Sequence, residues 1–447
     1  MPSLQELHDS ELDRFAKSHP GSGHMSARAQ QHLLAGVPMP WMTKWAGSHS
    51  VFLENASGSQ CVDIDGNTYL DFCLGDTGAM TGHALPQVSD ALYKRAQMGI
   101  TTMLPNEDAL WVAEEMHRRF GLPTWQFAMS ATDANRFVLR FARQLTGRSK
   151  IAVMDWCYHG TVDETLVIRT PDGGTQSRPG AIGPSVDPAL TTRVATFNDI
   201  EDLERIFSYG DVACLLMEPA LTNIGIVLPE PGYLEDVREL TRKHGVLLVI
   251  DETHTICVGP GGSTAAWKLE PDFLVIGKPI AGGMPAAAYG MTADIASRLT
   301  TILNDNHVDV SGVGGTLTAN ALALSAIRAT LSSTLLEEDF QYMIPLATQW
   351  ASGVRNSYEG AGLDWHVQQL GCRAEYWFCP PPKNGAEAAK GINDELDAFM
   401  HLFCLNRGIL LAPFHNMVLL SPFHTQQDVD RHTEVFTEAT TLLAGSV

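Results

Sequence analysis

Short, almost wholly apolar runs mark the middle of the chain. The runs at 151–154 (IAVM), 213–217 (ACLLM), 246–250 (VLLVI) and 273–276 (FLVI) contain no charged residue. Strands this apolar suit a parallel sheet covered on both faces by helices. Stretches at 87–97, 109–120 and 131–145 have helical patterning, and strand and helix alternate over about 200 residues. That alternation predicts an α/β domain, in which ligands bind outside the carboxyl ends of the strands. The residues just after each apolar run are therefore where chemistry is expected.

The flanking regions read differently. Residues 1 to about 45 predict a helical arm that ends in the Pro-rich bend at 36–40 (GVPMP). Strand-like pieces follow at 51–53, 61–63 and 69–73, and Asp65-Gly66-Asn67 supplies hairpin-turn chemistry between the last two. A helix predicted from Leu317 to about Leu331 leads into a smaller α+β region with strand pieces near 374–378 and 418–420. The expected division is 1–75 as an arm and strands belonging to the small lobe, 76–331 as a large α/β domain, and 332–447 as the small α+β domain.

Composition narrows the function. With 51 acidic and 30 basic residues among 447, the net charge is −21. That balance disfavours nucleic acid and anionic membranes, both of which select clustered Lys and Arg. No run approaches the ~18 apolar residues of a membrane span. The opening segment MPSLQELHDSELDRF lacks the basic and apolar regions of a secretory signal, so a cytoplasmic protein is expected. Eight cysteines at 61, 73, 157, 214, 257, 372, 379 and 404 form no CxxC pair. They predict free buried thiols, with no metal site.

Two strand ends carry the strongest chemical signals. The run 246–250 is followed by Asp251 and Glu252, and the run 273–276 by Gly277 and Lys278. A lysine set in apolar sequence is expected to be partly desolvated, and desolvation favours the neutral, nucleophilic amine. Taken singly, the aspartate could cap a turn and the lysine could extend to the surface. Together they fit enzymes of pyridoxal 5'-phosphate (PLP), in which a Lys forms a Schiff base and an Asp holds the pyridinium nitrogen. The segment 125–134 (WQFAMSATDA) offers a strand and then Ser130 and Thr132 at a helix start, a setting for phosphate or for a plain N-cap. Gly314-Gly315-Thr316 is a second such junction. Tyr158 and His159 follow another apolar strand, and Tyr158 is suited to stacking on a flat ring. All five segments lie, in order, at predicted strand-to-helix junctions.

These motifs, together with Met217-Glu218-Pro219, Asn223, Gly282-Gly283 and Gly82-His83, resemble the class III (subgroup II) aminotransferases. The closest likeness is to the glutamate-1-semialdehyde 2,1-aminomutases. The resemblance runs from about residue 45 to the C-terminus and is densest from 125 to 325. It implies PLP-dependent fold type I of the aspartate-aminotransferase kind: a large domain with a mostly parallel mixed sheet and a smaller α+β domain. It further implies Lys278 as the Schiff-base (aldimine) lysine and proton shuttle, and Asp251 at the ring nitrogen. Tyr158 would stack on the ring with His159 beside it, and Ser130, Ala131 and Thr132 would bind the phosphate. Asn223 and Glu218 would order the ring-oxygen side, and Thr253 would lie under the ring. Thr316 would reach the phosphate of a second subunit, which implies a homodimer with shared sites.

Some positions depart from that pattern. The phosphate motif carries Ala131 where the family has Gly, which requires φ < 0 there. The stretch 38–42 (PMPWM) lacks the arginine that holds a substrate carboxylate, and nothing basic except histidine lies between Arg407 and Arg431. Trp41, Lys44 and Asp76 become the candidate substrate contacts. The reading is a PLP-dependent aminotransferase acting on small-molecule amines and carbonyl compounds. The alternatives are an aminomutase-type isomerase, or a racemase, decarboxylase or lyase on the same scaffold.

Overall fold

Seven strands form the sheet that carries the candidate site. They are β1 (Thr124–Ala128), β2 (Lys150–Met154), β3 (Thr192–Ala195), β4 (Val212–Met217), β5 (Leu247–Asp251), β6 (Phe273–Ile276) and β7 (Ala287–Met291), in the spatial order β1-β7-β6-β5-β4-β2-β3. The strands from β6 through β5, β4 and β2 to β3 pair in parallel, while β7 runs antiparallel to both β6 and β1. Every residue of β4, β6 and β7 is buried, and in β4 and β6 the strongly apolar composition demands it. Each fully buried Leu, Ile or Val adds about 1.5–3 kcal/mol to the core. In β7, Gly290 is there for space, since a Cβ would stand 2.6 Å from the Trp125 ring on β1.

This is a computed structural model, describing residues 2–183, 186–305 and 307–445. The chain divides into two units. One comprises Met1–Leu85, Gln341–Pro381 and Lys390–Val447; the other comprises Pro86–Phe340 and Pro382–Ala389 and contains the seven-stranded sheet.

Within the sheet unit, the helix Ala131–Thr146 follows β1. Its N-cap is Ser130, whose Oγ accepts from the Asp133 N–H at 3.2 Å, and Gly147 ends it at φ +67°. Ala134, Phe137, Val138, Phe141 and Ala142 make its buried face. The helix expected from Leu317 begins instead at Ala321. Asn320 caps it by accepting the Ala323 N–H at 2.9 Å, and Ala319 before it is left-handed at φ +56°. Residues 317–319 therefore belong to a turn, because an Asn side chain competes for the first-turn donors. Strands β3 and β7 have no counterpart among the apolar runs of the sequence. One is partly polar, and the other is built from Ala, Tyr, Gly and Met.

The second unit opens with helices Leu4–Ser18 and Pro20–Ala29, the first held by a Ser3/Glu6 capping box. Leu53–Ser57, Gln60–Asp63 and Thr68–Asp71 form an antiparallel meander, and Ile409–Leu410 joins its edge in parallel. The strand expected at 51–53 thus starts at Leu53 and runs on to Ser57. Its side chains are mostly exposed, so no apolar pattern marked its full extent. The Asp65-Gly66-Asn67 turn forms where expected, with Gly66 at φ +84° and the Asp63 N–H donating to the Asn67 carbonyl. A buried chain fixes the arm to this sheet. His19 Nε2 lies 2.6 Å from the Tyr69 hydroxyl, which donates to Asp63 at 2.7 Å. Nearby, Asp71 Oδ2 receives both His83 Nε2 at 2.7 Å and the Cys61 thiol at 3.4 Å. A second antiparallel sheet comprises His366–Leu370, Arg373–Trp377 and Met417–Leu419. All eight cysteines are buried.

Candidate active site

The register of β5 against β6 sets the site. Asp251 pairs with Val275, so the carboxylate closes β5 while Lys278 lies three residues beyond Val275, past the end of β6. Both side chains therefore emerge at the carboxyl edge of the sheet, where α/β ligands bind. Lys278 has φ +50°, an uncommon state for a residue with a Cβ, and one that concentrates at functional sites. Its Nζ lies 2.8 Å from His254 Nε2.

The two adjacent carboxylates point to different tasks. Glu252 is fully buried and turns into the protein. It accepts from Thr255 Oγ1 at 2.5 Å, from the Ser263 N–H at 3.1 Å, and from the Thr264 N–H and hydroxyl at 2.5 and 2.6 Å. Burial pushes its carboxyl above the ordinary range against the pull of those donors. Asp251 turns the other way. Its Oδ2 accepts from Asn135 Nδ2 at 2.9 Å and from His159 Nδ1 at 3.0 Å, and its Oδ1 accepts from the Thr253 N–H at 3.1 Å. Burial alone would raise this carboxyl. The His159, Thr253 and Asn135 donors overcome burial and hold it at about 2, so Asp251 is a carboxylate at neutral pH. His159 is raised in turn: burial opposes its second proton, but the neighbouring Cys157 sulfur and the Asp251 carboxylate together outweigh burial.

The phosphate candidates join the same cluster. Ser130 caps the helix and spends its Oγ on Asp133, while the Thr132 hydroxyl accepts the Thr161 N–H at 3.0 Å. The helix itself provides no acceptor for its first N–H groups, which leaves Ala131 and Thr132 to serve an anion. Ala131 is not among the positive-φ residues, so its replacement of Gly carries no backbone strain. The glycines around this corner are constrained by space. A Cβ on Gly160, at φ +79°, would stand 2.1 Å from Thr132 Oγ1, and one on Gly277 would stand 3.1 Å from the Ala131 Cβ. The loops after β2 and β6 thus close directly on the helix start.

The remaining expected residues scatter more. Tyr158 stands next to His159 with more than a third of its surface exposed. Asn223 Nδ2 donates to the Trp156 carbonyl at 2.9 Å, which ties the loop after β4 to the loop after β2. Glu218 is buried at the end of β4 and accepts from Thr222 Oγ1 at 2.5 Å. Thr253 is buried two residues beyond Asp251. Thr316 is exposed and lines a separate cavity of about 730 Å³ with Asp133, Arg136 and Arg140; neither Lys278 nor Asp251 lines that cavity. Trp41, Lys44 and Asp76 belong to the other unit. There Trp41 packs edge-on against Phe414 at 5.2 Å, Lys44 ends the turn Pro40–Lys44, and Asp76 sits at φ +50° beside the left-handed Leu74 and Thr77.

Two residues of the cluster carried no expectation. His254 follows the Asp-Glu-Thr segment directly and was passed over for the strand end itself. Asn135 had a visible signal, a polar residue on the buried face of a helix next to Ala134.

The donor set suits PLP. It comprises a helix N-terminus for a phosphate, an ionised buried aspartate for a protonated ring nitrogen, and an amine at an adjacent strand end. The aminotransferase class-III family model matches residues 41–347, and the chain belongs to that family. Its fold is therefore PLP-dependent fold type I, as the motifs implied. Among individual relatives, glutamate-1-semialdehyde 2,1-aminomutase of Desulfitobacterium hafniense (strain Y51) is 34% identical over 415 residues, covering 90% of this chain and 94% of that protein. A glutamate-1-semialdehyde-aminomutase from Pseudomonas aeruginosa PAO1 superposes with a TM-score of 0.95 at 46% identity, covering 98% of this chain and 97% of the other. An omega-transaminase from Sphaerobacter thermophilus gives 0.87 at 26% identity, with coverage of 96% and 99%.

Proposed function

We propose that the protein is a PLP-dependent aminotransferase that moves an amino group between a primary amine or amino compound and a carbonyl acceptor. The observation that carries this reading is the Lys278–Asp251 pair at adjacent strand ends, with Asp251 ionised by three donors. The cofactor, when bound, supplies an electron sink for the carbanion formed at the substrate carbon. Lys278 attaches the cofactor and moves the proton at its Nζ. Asp251 keeps the ring nitrogen protonated, and His159 and Thr253 flank it. Ser130, Ala131 and Thr132 hold the phosphate, Tyr158 covers the ring, and Asn223 and Glu218 order its oxygen side. Trp41, Lys44 and Asp76 meet the substrate.

The protein acts as a cytoplasmic homodimer in which Thr316 serves the partner's phosphate. In support, the sheet unit exposes Met98, Met103, Leu104, Leu110 and Leu317, each more than half accessible, a large apolar content for a surface left in water.

A second reading, an aminomutase-type isomerase, is favoured by the D. hafniense and P. aeruginosa relatives; a lysine-to-alanine variant of the latter has been crystallised with PMP. One experiment tests both. The PLP-loaded protein is reduced with borohydride, the modified residue is mapped, and the spectrum is followed on adding a panel of amines, amino acids and glutamate 1-semialdehyde. A transaminase responds to an amine and needs a carbonyl acceptor to turn over. An isomerase consumes the semialdehyde with no second carbonyl compound. Reduction at a lysine other than Lys278 would refute the site.

A further inference from the structure

Asn135 occupies a position that the proposed chemistry has not used. It is fully buried in the second turn of the helix Ala131–Thr146, five residues after the N-cap Ser130. Its Nδ2 donates twice, to Asp251 Oδ2 at 2.9 Å and to the His159 carbonyl at 3.2 Å. The amide orientation is fixed by chemistry, since turning it over would set Oδ1 against two acceptors. The same residue therefore ties together the loop after β2, which carries His159, and the end of β5, which carries Asp251.

The lone-pair count shows what this contact selects. A carboxylate has about four acceptor positions. Asn135 and His159 occupy both on Oδ2, and the Thr253 N–H takes one on Oδ1. Among the described residues these hydrogen bonds leave one position, on Oδ1. Without Asn135 a second position would open on Oδ2, and the carboxylate could rotate to answer a ligand with either oxygen. Asn135 also rides on the helix whose first turn faces the phosphate, and a helix advances only 1.5 Å per residue. The phosphate end and the nitrogen end of the cofactor would thus be gripped from one rigid element.

We propose that Asn135 is a positioning residue that locks Asp251 so that a single Oδ1 lone pair meets the pyridine nitrogen, in fixed register with the phosphate cradle at Ser130–Thr132. This rests on reading the site as a PLP site. Asn135 itself touches neither cofactor nor substrate; it acts through Asp251.

The test is a double-mutant cycle with Asn135→Ala and Asp251→Asn, read by PLP occupancy, by the absorbance band of the bound cofactor, by kcat and KM, and by thermal unfolding of the cofactor-free protein. Asn135→Ala is expected to lower kcat about tenfold or more while KM and occupancy change less than about threefold, and to shift the band toward that of Asp251→Asn. In the Asp251→Asn background the same change is expected to cost less than about twofold in kcat, because there is no carboxylate left to position. Asn135→Asp supplies a second variant if the alanine form folds poorly. It sets a like charge at hydrogen-bonding distance from Asp251 and should reproduce the spectral shift. Full additivity of the kcat losses, or parallel loss of occupancy and kcat with an unmoved band, would overturn the inference. If wild type takes up no PLP at all, it is the underlying site reading that fails.

Discussion

Replacing Asp251 with Asn keeps the shape and removes the charge, and the structure sets the size of the effect. The amide oxygen can still take the Asn135 and His159 donors. The amide nitrogen then faces the Thr253 N–H, so one hydrogen bond becomes a donor–donor opposition, and the position aimed at the ring nitrogen turns from acceptor to donor. Asp251 is held at about 2 against an ordinary 3.8, which corresponds to about 2 kcal/mol of folding stability at neutral pH. The asparagine form of the cofactor-free protein should therefore unfold about 1–3 kcal/mol more easily, a tolerable loss. Turnover should suffer far more. Without the charge, the ring nitrogen is no longer held protonated, and a lost electrostatic contact of this kind costs about 100-fold or more in kcat. The pH dependence has a definite sign. A depressed folded pKa stabilises above the unfolded value near 3.8, and that stability is lost as pH falls through about 2. The part of the gap owed to Asp251's own titration should hold from neutrality to about pH 5 and close between about pH 4 and pH 2, while His159, raised in wild type partly by the same contact, widens the gap as pH falls toward about 6. Urea unfolding of the two cofactor-free proteins across that range measures the gap, and PLP occupancy with single-turnover rates measures the chemistry. Equal losses of occupancy and turnover, or a gap that does not close in acid, would refute the assigned role.

Four further outcomes follow from the same geometry. Gly160→Ala forces a Cβ to within 2.1 Å of Thr132 Oγ1 at φ +79°, so PLP affinity should fall about tenfold or more by equilibrium dialysis. Gly147→Ala, at φ +67° with open space around it, should lower only the melting temperature. Mixing inactive Lys278→Ala subunits with impaired Thr316→Ala subunits should restore part of the activity through hybrid dimers, and a fully active monomer by light scattering would exclude shared sites. With no arginine at 38–42, and with Trp41 set against Phe414, an arylalkylamine should exceed glutamate in kcat/KM; a glutamate preference that collapses in Lys44→Met would instead make Lys44 the carboxylate ligand.

The sequence alone determined the parts that are local. An apolar run that ends in a charged residue is legible because strand burial and strand termination are written within a few positions, and this picked out Asp251 and Lys278. The ordered set of junction motifs then pointed to the family. The Asp65-Gly66-Asn67 turn was legible for the same reason, since a left-handed Gly66 has its own residue signature. Contacts between residues far apart in the chain were decided only by the tertiary structure. Asn135 meets Asp251 across 116 positions, and His254 meets Lys278 across 24. Nothing in the spacing said that, of two adjacent carboxylates, Glu252 would turn inward to Ser263 and Thr264 while Asp251 turned toward the site. The pleat sends neighbouring side chains to opposite faces of a strand, but which face holds the chemistry depends on what packs there. Strands β3 and β7 escaped notice on similar grounds: their burial comes from the neighbours they pair with, and their own residues carry no apolar run to announce it.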